Sequence, residues 1–405
     1  MKPIYKKIKR KLTQLLVRVV VYNKHYKPIG FYRTAQEYSQ SAEGMGARWM
    51  EIYPSYVSKQ VVPRELNESC LSYYKSEEES LIPATIVAEV LHGREYQDVL
   101  FGGTIISQTN KIIGDISYYQ PNPDNQRREP VEKNNLFKQK FFQKPKYFPG
   151  VVFSCVIGFN GSDNYYHWMF DCLTKLHLLQ ASGLYSTVDW FLMPEPKEEY
   201  HRSMLDLLGI PPEKIIFEHE CVHIQADKII ATVTERHYNH TAPWMFSFLR
   251  KSFLRPDIVR GTGDDFIYIS RSDSHRRNVA NEAELMGMLS TYGFKMLTLT
   301  PLSFVEKMSV FASAKIIIAP HGAGLANLTF CTPGATLIEL FTETYVCACY
   351  SEMALKVGMD YHYLVFDYVD SNQPEKSVDH HIHAEVDKVK QVLDISLSSF
   401  AVLTS

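Results

Sequence analysis

From residue 150 onward the chain is a series of short apolar runs separated by amphipathic stretches. Val151-Val152-Phe153-Ser154-Cys155-Val156-Ile157-Gly158 predicts a buried strand, followed by a Gly/Asn/Asp loop and a helix over 165–181. Strand 189–193, helix 198–209, strand 228–233 and helix 243–255 continue the alternation. Pro256 to Asp264, with Gly261-Thr262-Gly263, reads as a linker, after which the rhythm restarts. Strand 266–270, helix 281–291, strand 294–298, helix 303–312, strand 315–319, a glycine loop, strand 335–340, helix 346–357 and strand 361–366 follow, with a last helix over 384–397. Strands alternating with helices mean βαβ units and parallel sheets.

The first 150 residues are less regular. Residues 28–80 show no clear period and read as irregular structure, 81–118 turn strand-like around a Gly102-Gly103 turn, and 120–147 have the polar composition of a long exposed connection. Ahead of these, Ile4, Ile8, Leu12, Leu15, Val19 and Tyr22 recur at three- and four-residue steps, predicting an amphipathic helix within 1–27.

Charge sharpens that last element. Residues 1–27 carry nine basic side chains and no acidic one, whereas the rest of the chain carries 34 basic against 45 acidic, so the net charge of −2 hides a cationic head on an anionic body. An acidic body excludes a general nucleic-acid binder, which needs a basic face. A basic amphipathic helix suits the headgroup plane of an anionic membrane surface; the competing reading is a helix packed on the body by its apolar stripe. Arg18 and the lack of a small-residue cleavage site argue against a signal peptide, and no apolar run is long enough to span a bilayer. Seven scattered cysteines without a CxxC pair suit a reducing compartment, with Cys347 and Cys349 as buried or half-buried thiols.

Three segments place polar residues where an α/β fold presents ligands. In Asn164-Tyr165-Tyr166-His167-Trp168-Met169-Phe170-Asp171, His167 and Asp171 share a helix face with Lys175; a His/carboxylate pair can act as a general base, or can merely cap a helix. In Tyr268-Ile269-Ser270-Arg271 through Arg276-Arg277-Asn278, arginines gather at a strand end, where guanidinium groups pair bidentately with diphosphate oxygens; Arg271 leads, and Arg276 and Arg277 are not separable by sequence. Pro320-His321-Gly322-Ala323-Gly324-Leu325-Ala326-Asn327 runs from a buried strand into a small-residue turn that offers backbone amides to phosphate, and Glu339 at the next strand end suits a ribose diol. No Asp-x-Asp, Walker loop or GxSxG elbow occurs, so positive charge and amides rather than a metal are expected to stabilise a leaving diphosphate. The His380, His381 and His383 tract could bind metal adventitiously but reads first as a solvated linker.

Together these segments resemble glycosyltransferase family 61, over about residues 150–370. The residues that carry the resemblance are Asn164-Tyr165-Tyr166-His167-Trp168 with Asp171, then Tyr268-Ile269-Ser270-Arg271 with Asn281-Glu282, then Pro320 to Asn327 with Pro333-Gly334 and Glu339. The resemblance implies a GT-B-like α/β fold, two Rossmann-like doubly wound domains facing a cleft, and an inverting, metal-independent transfer needing no cofactor. It implies a nucleotide-sugar donor, expected to be a UDP-sugar, held by Arg271, Arg276, Arg277, Asn281, His321, Gly322, Ala323, Gly324, Asn327 and Glu339. His167 and Asp171 would face the acceptor, one of them taking its proton, with Tyr166 and Trp168 lining the acceptor side. The family's basic pair ahead of the Asn281-Glu282 helix is interrupted here by Asn278.

The expected organisation is a basic helix (1–27), an acceptor-side domain (28–255), a nucleotide-sugar domain (256–380) and a C-terminal helix and tail (381–405). A bacterial polysaccharide-type enzyme is expected, peripheral at the cytoplasmic face of the cell membrane, with a cell-surface glycan or lipid-linked oligosaccharide as acceptor. The rivals are a non-catalytic nucleotide-sugar or glycan-binding protein, which would not need His167 and Asp171 on one face, and a phosphotransfer enzyme, which would need a P-loop lysine or metal carboxylates.

Overall fold

A computed structural model describes residues 19–59, 79–98, 102–119, 129–156, 164–233, 241–369 and 379–403, together with Leu12, Leu15 and Leu16. The chain divides into two compact units: Met1–Tyr56 with Pro83–Lys197 and Gly209–Glu235, and Val57–Ile82 with Glu198–Leu208 and Arg236–Ser405.

The first unit is built on a ten-stranded mixed sheet. Its strands are β1 (Gly30–Tyr32), β2 (Trp49–Tyr53), β3 (Thr85–Leu91), β4 (Arg94–Asp98), β5 (Gly102–Ile106), β6 (Lys111–Ile113), β7 (Lys146–Ser154), β8 (Trp190–Met193), β9 (Ile215–Phe217) and β10 (His223–Thr232). The order is β1-β6-β5-β4-β10-β7-β8-β9, with β3 also on β10 and β2 on β3. β10, β7, β8 and β9 run parallel, while β2, β3, β4 and β5 add antiparallel pairs. The parallel strands expected from residue 150 onward are present as β7, β8, β9 and β10, but antiparallel strands from the earlier residues extend them into a mixed sheet, which corrects the expected doubly wound first domain. Gly102 and Gly103 lie inside β5 rather than in a turn. Strands also occupy part of the stretch expected to be irregular, and Asn134, Leu136, Gln139 and Phe142 are buried in the stretch expected to be exposed.

β4 is a polar strand in a buried position. Arg94, Glu95 and Gln97 look like surface residues but are buried, because each finds a polar partner. Arg94 donates to His223, Asn110 and the Tyr26 carbonyl, and Gln97 and Ser154 donate to Glu95.

The second unit holds a five-stranded parallel sheet of β11 (Phe266–Ile269), β12 (Lys295–Leu297), β13 (Ile316–Pro320), β14 (Thr336–Thr342) and β15 (Asp360–Phe366), in the order β12-β11-β13-β14-β15. Alternate residues Ile316, Ile318, Ile338, Leu340, Leu364 and Phe366 face one side, where helices Glu282–Thr291 and Val386–Leu403 contribute Leu285, Leu289, Val389 and Leu393. Phe253, Phe304 and Phe330 form a separate aromatic cluster, with ring centroids 5.0–6.4 Å apart. These helices and strands lie close to their predicted positions. The unit boundaries differ from the expected ones: helix Pro243–Phe253 belongs here, held by Arg250 donating to the Thr329 and Cys331 carbonyls, and so does the C-terminal helix.

The order 2-1-3-4-5 has its reversal point between β11 and β13, the place where open α/β sheets bind ligands at their carboxyl ends. In the first unit β7 lies between β10 and β8, so the strand order also reverses at its carboxyl end, ahead of the 165–181 helix.

The basic helix expected within 1–27 falls largely outside the described residues. Of those that are described, Leu12, Leu15, Leu16, Val19, Val20, Val21 and Tyr22 are exposed, while Tyr22 stacks on Phe141 (ring centroids 5.0 Å apart) and Lys24–Tyr26 form a 3₁₀ turn rather than part of an α-helix. Among the described residues no helix is long and apolar enough to cross a membrane.

Candidate functional site

Each unit carries one candidate site. In the first, Asn164 caps the helix start by accepting from the Tyr166 and His167 amides (2.9 and 3.3 Å). The helix then widens into a π-helical turn over Trp168–Leu173, a feature concentrated at functional sites, before resuming as α-helix at Thr174–Ala181. Across this turn the His167 Nδ1 atom stands 2.6 Å from Asp171 Oδ2, with the two side chains 31% and 15% exposed. Nδ1 therefore carries the proton it donates to the carboxylate, and Nε2 is the ring's basic atom. The expectation that Tyr166 and Trp168 line an acceptor is corrected: Tyr166 is buried and stacked on Phe170 at 4.9 Å, and Trp168 is fully buried. Lys175, on the same helix face, turns inward and donates to the Val156 carbonyl (2.6 Å).

Beside it lies a group that sequence reading missed. Glu95 is wholly buried, and that burial pushes its carboxyl up to about 7, partly offset by Ser154 and Lys175. Burial likewise raises Glu218 to about 7. Only a polar residue in an otherwise strand-compatible window hinted at Glu95.

In the second unit the strand ends at the reversal point carry Ser270-Arg271 and His321-Gly322. Arg271 Nε donates to the Arg276 carbonyl (2.9 Å) and Nη2 to Ser274 Oγ (3.0 Å), which fixes the guanidinium against the Gly322 backbone. A Cβ on Gly322 would stand 1.8 Å from Arg271 Nη1, so glycine is what lets the arginine approach. Burial, and then the neighbouring Arg277, bring Arg271 down to about 10, which leaves it charged at neutral pH.

The structure separates the two arginines that sequence left equivalent. Arg277 adopts a left-handed backbone (φ 55°), donates from Nε to the His321 carbonyl (2.9 Å) and lies over the Tyr345 ring at 5.3 Å. Arg276 turns away to pair with Asp379 (2.9 Å). Two guanidinium groups thus converge on one glycine turn. There the amides of Gly322, Ala323 and Gly324 precede the first hydrogen bond of helix Ala323–Phe330, from the Leu325 amide to the Gly322 carbonyl. Cationic groups plus backbone amides at a strand-to-helix turn make an anion cradle, suited to a diphosphate.

Four expected donor ligands have other roles. Asn281 spends its amide on Ala384, accepting from its N–H and donating to its carbonyl. Asn327 is fully buried and braces the turn by donating to the Gly324 carbonyl (2.8 Å). Glu339 has no exposed surface; Oε1 lies 2.6 Å from His321 Nδ1 and Oε2 accepts from Tyr361 (2.8 Å), so both oxygens are engaged within the protein rather than toward a ribose. The His321 ring is walled by Phe341, Tyr345 and Tyr350 at 5.1–5.5 Å. A burial force favouring aromatic neighbours, together with a carboxylate partner, holds it inside. Cys347 and Cys349 lie next to this ring, and the hydrogen bond from Cys349 holds the Cys347 thiol below its ordinary range.

The family model described as Glycosyltransferase 61 matches residues 165–338, the span from the capped helix to β14. The human protein O-linked-mannose beta-1,4-N-acetylglucosaminyltransferase 2 is 24% identical over 277 residues, covering 60% of this chain and 46% of that protein. A xylan glycosyltransferase of Arabidopsis thaliana is 30% identical over 95 residues, 21% of this chain and 18% of that protein. The EGF domain-specific O-linked N-acetylglucosamine transferase of Drosophila melanogaster is 30% identical over 119 residues, 27% and 22% of the respective chains. This chain spans about half the length of the animal relatives it matches most extensively. The family match and the names of these relatives support a glycosyltransferase enzyme; those named come from animals and a plant, and none is a bacterial polysaccharide enzyme.

Proposed function

We propose that the chain transfers a sugar from a nucleotide diphosphate donor, a UDP-sugar in the first instance, to a hydroxyl of a glycan acceptor. One observation carries the reading: Arg271 and Arg277 converge on the Gly322 turn at the reversal point of a parallel sheet, inside the span matched by Glycosyltransferase 61. The diphosphate accepts hydrogen bonds from the guanidinium groups and the turn amides, which neutralise its charge as it leaves; no divalent metal is needed for that step.

His167 is the general base. Its Nε2 takes the acceptor hydroxyl's proton while Asp171 stabilises the resulting imidazolium through Nδ1. The acceptor oxygen bonds to the anomeric carbon as the bond to the diphosphate breaks, with inversion. In this proposal the second unit binds the donor and the first supplies the base, the division of labour of a GT-B-like enzyme. The acceptor is a cell-surface or lipid-linked glycan, reached at the cytoplasmic face of a membrane to which residues 1–27 attach; the exposed leucines and valines of the described part of that segment support the attachment.

The test is release of nucleoside diphosphate from a panel of sugar nucleotides, with glycan acceptors and EDTA present. Transfer is expected with one donor at least, and is expected to weaken sharply at limiting donor in Arg271→Ala. No release from any donor across the acceptor panel overturns the reading.

A further inference from the structure

We infer that His321, Cys347 and Cys349 form a thiolate-rich cation site for a d10 metal such as Zn²⁺, next to the glycine turn. The ring nitrogen and the two Sγ atoms all lie within 4.8 Å of one another. A tetrahedral zinc bound by two sulfurs and an imidazole sets its ligand atoms about 3.5–3.8 Å apart, so small side-chain rotations close the set. Two thiolates and an imidazole are the donor set that favours zinc over magnesium or calcium.

The surroundings add the features that orient a metal-binding histidine. Glu339 Oε1 holds His321 Nδ1 at 2.6 Å, and Tyr361 in turn donates to Glu339 Oε2 at 2.8 Å. A carboxylate on Nδ1 fixes the tautomer and directs Nε2 at the metal, the arrangement that recurs behind zinc-bound histidines. Phe341, Tyr345 and Tyr350 pack around the ring and limit water access. Cys347 and Cys349 lie beyond residue 338, outside the segment that matches the family model. Since the His321 carbonyl also accepts from Arg277, an ion here would pin the start of the turn.

The site stands whether or not the transfer reading holds, because its test reads metal binding alone. Reduced, metal-free full-length protein is titrated with Co²⁺ and then Zn²⁺. One Co²⁺ per chain is expected, with a thiolate-to-cobalt charge-transfer band that Zn²⁺ abolishes. The band is expected to vanish in Cys347→Ser and in Cys349→Ser, and Glu339→Gln is expected to weaken affinity about 10–100-fold. On wild-type protein, Zn²⁺ is expected to protect Cys347 and Cys349 from alkylation, a readout that remains usable if a variant fails to fold. Absence of the band from wild-type protein, its persistence in both serine variants, or unprotected alkylation of the two cysteines overturns the site.

Discussion

Among the described residues, two histidine–carboxylate pairs share the same short hydrogen bond in different surroundings. His167 Nδ1 and Asp171 Oδ2 are 2.6 Å apart on a helix start, with 31% and 15% of the side chains exposed. His321 Nδ1 and Glu339 Oε1 are also 2.6 Å apart, but at 7% and 0% exposure. The difference teaches that the hydrogen bond alone does not define a base. A partly exposed pair can exchange a proton with an arriving hydroxyl, whereas a buried pair can only orient its ring toward its neighbours, here two half-buried thiols.

The comparison predicts its largest contrast in turnover. In His167→Ala and in Asp171→Asn, kcat is expected to fall about 10²–10⁴-fold, with donor affinity unchanged by direct titration. Unchanged turnover in both variants would reduce the exposed pair to a helix cap.

Stability should rank the pairs the other way. Glu339→Gln leaves a fully buried His321–Tyr361 network imperfectly matched, and a cost of about 1.5–3 kcal/mol is expected in urea unfolding. Asp171→Asn removes a partly solvated interaction, for which about 0–1 kcal/mol is expected. Equal losses would mean that burial does not separate the pairs.

Donor affinity gives a third contrast. Arg271→Ala removes charge-assisted hydrogen bonds to a diphosphate, and about a 10–100-fold rise in donor Kd is expected, equivalent to about 1.5–3 kcal/mol. Arg276→Ala, whose partner is Asp379, is expected to leave Kd nearly unchanged. A comparable loss in both would reassign the cradle.

Much of this is legible in the sequence, and unevenly so. Buried parallel strands such as Ile316–Pro320 announce themselves as unbroken apolar runs, and the strand-end rule led straight to Arg271 and the Gly322 turn. β4 did not, because Arg94-Glu95-Tyr96-Gln97-Asp98 is buried only by virtue of partners far along the chain, such as His223 and Ser154. Tyr166 and Trp168 misled for a related reason. Adjacency to a candidate base suggested an acceptor platform, yet the helix turn sends both rings into the core. The role of Glu339 depended on a contact across eighteen residues of sequence, and the partner of Arg276 on one across more than a hundred.

A third histidine sharpens the comparison at the smallest scale. His223 is buried with its Nε2 atom 2.8 Å from Arg94 Nη1 and its Nδ1 atom 2.7 Å from the Gln143 carbonyl, so it faces a cation where the other two face carboxylates. Burial is the main cause that lowers it to about 4, with Arg94 adding to the shift. The unfolded chain, with an ordinary histidine near 6.5, therefore binds the proton first, and the stability that neutral His223 contributes is complete above that pH and lost as the pH falls toward 4. Glu95 and Glu218 work in the opposite sense: their raised values make the folded state bind protons first, so they favour it as the pH falls through 7. The two trends offset each other in the wild-type profile, and the histidine is read from a difference. Between pH 7.5 and 5.5 the stability advantage of wild type over His223→Gln is expected to shrink by about 1.4 kcal/mol, measured as paired urea midpoints. Were the advantage constant across that range, His223 would titrate as an ordinary surface histidine, and its burial beside Arg94 would carry no protonation cost.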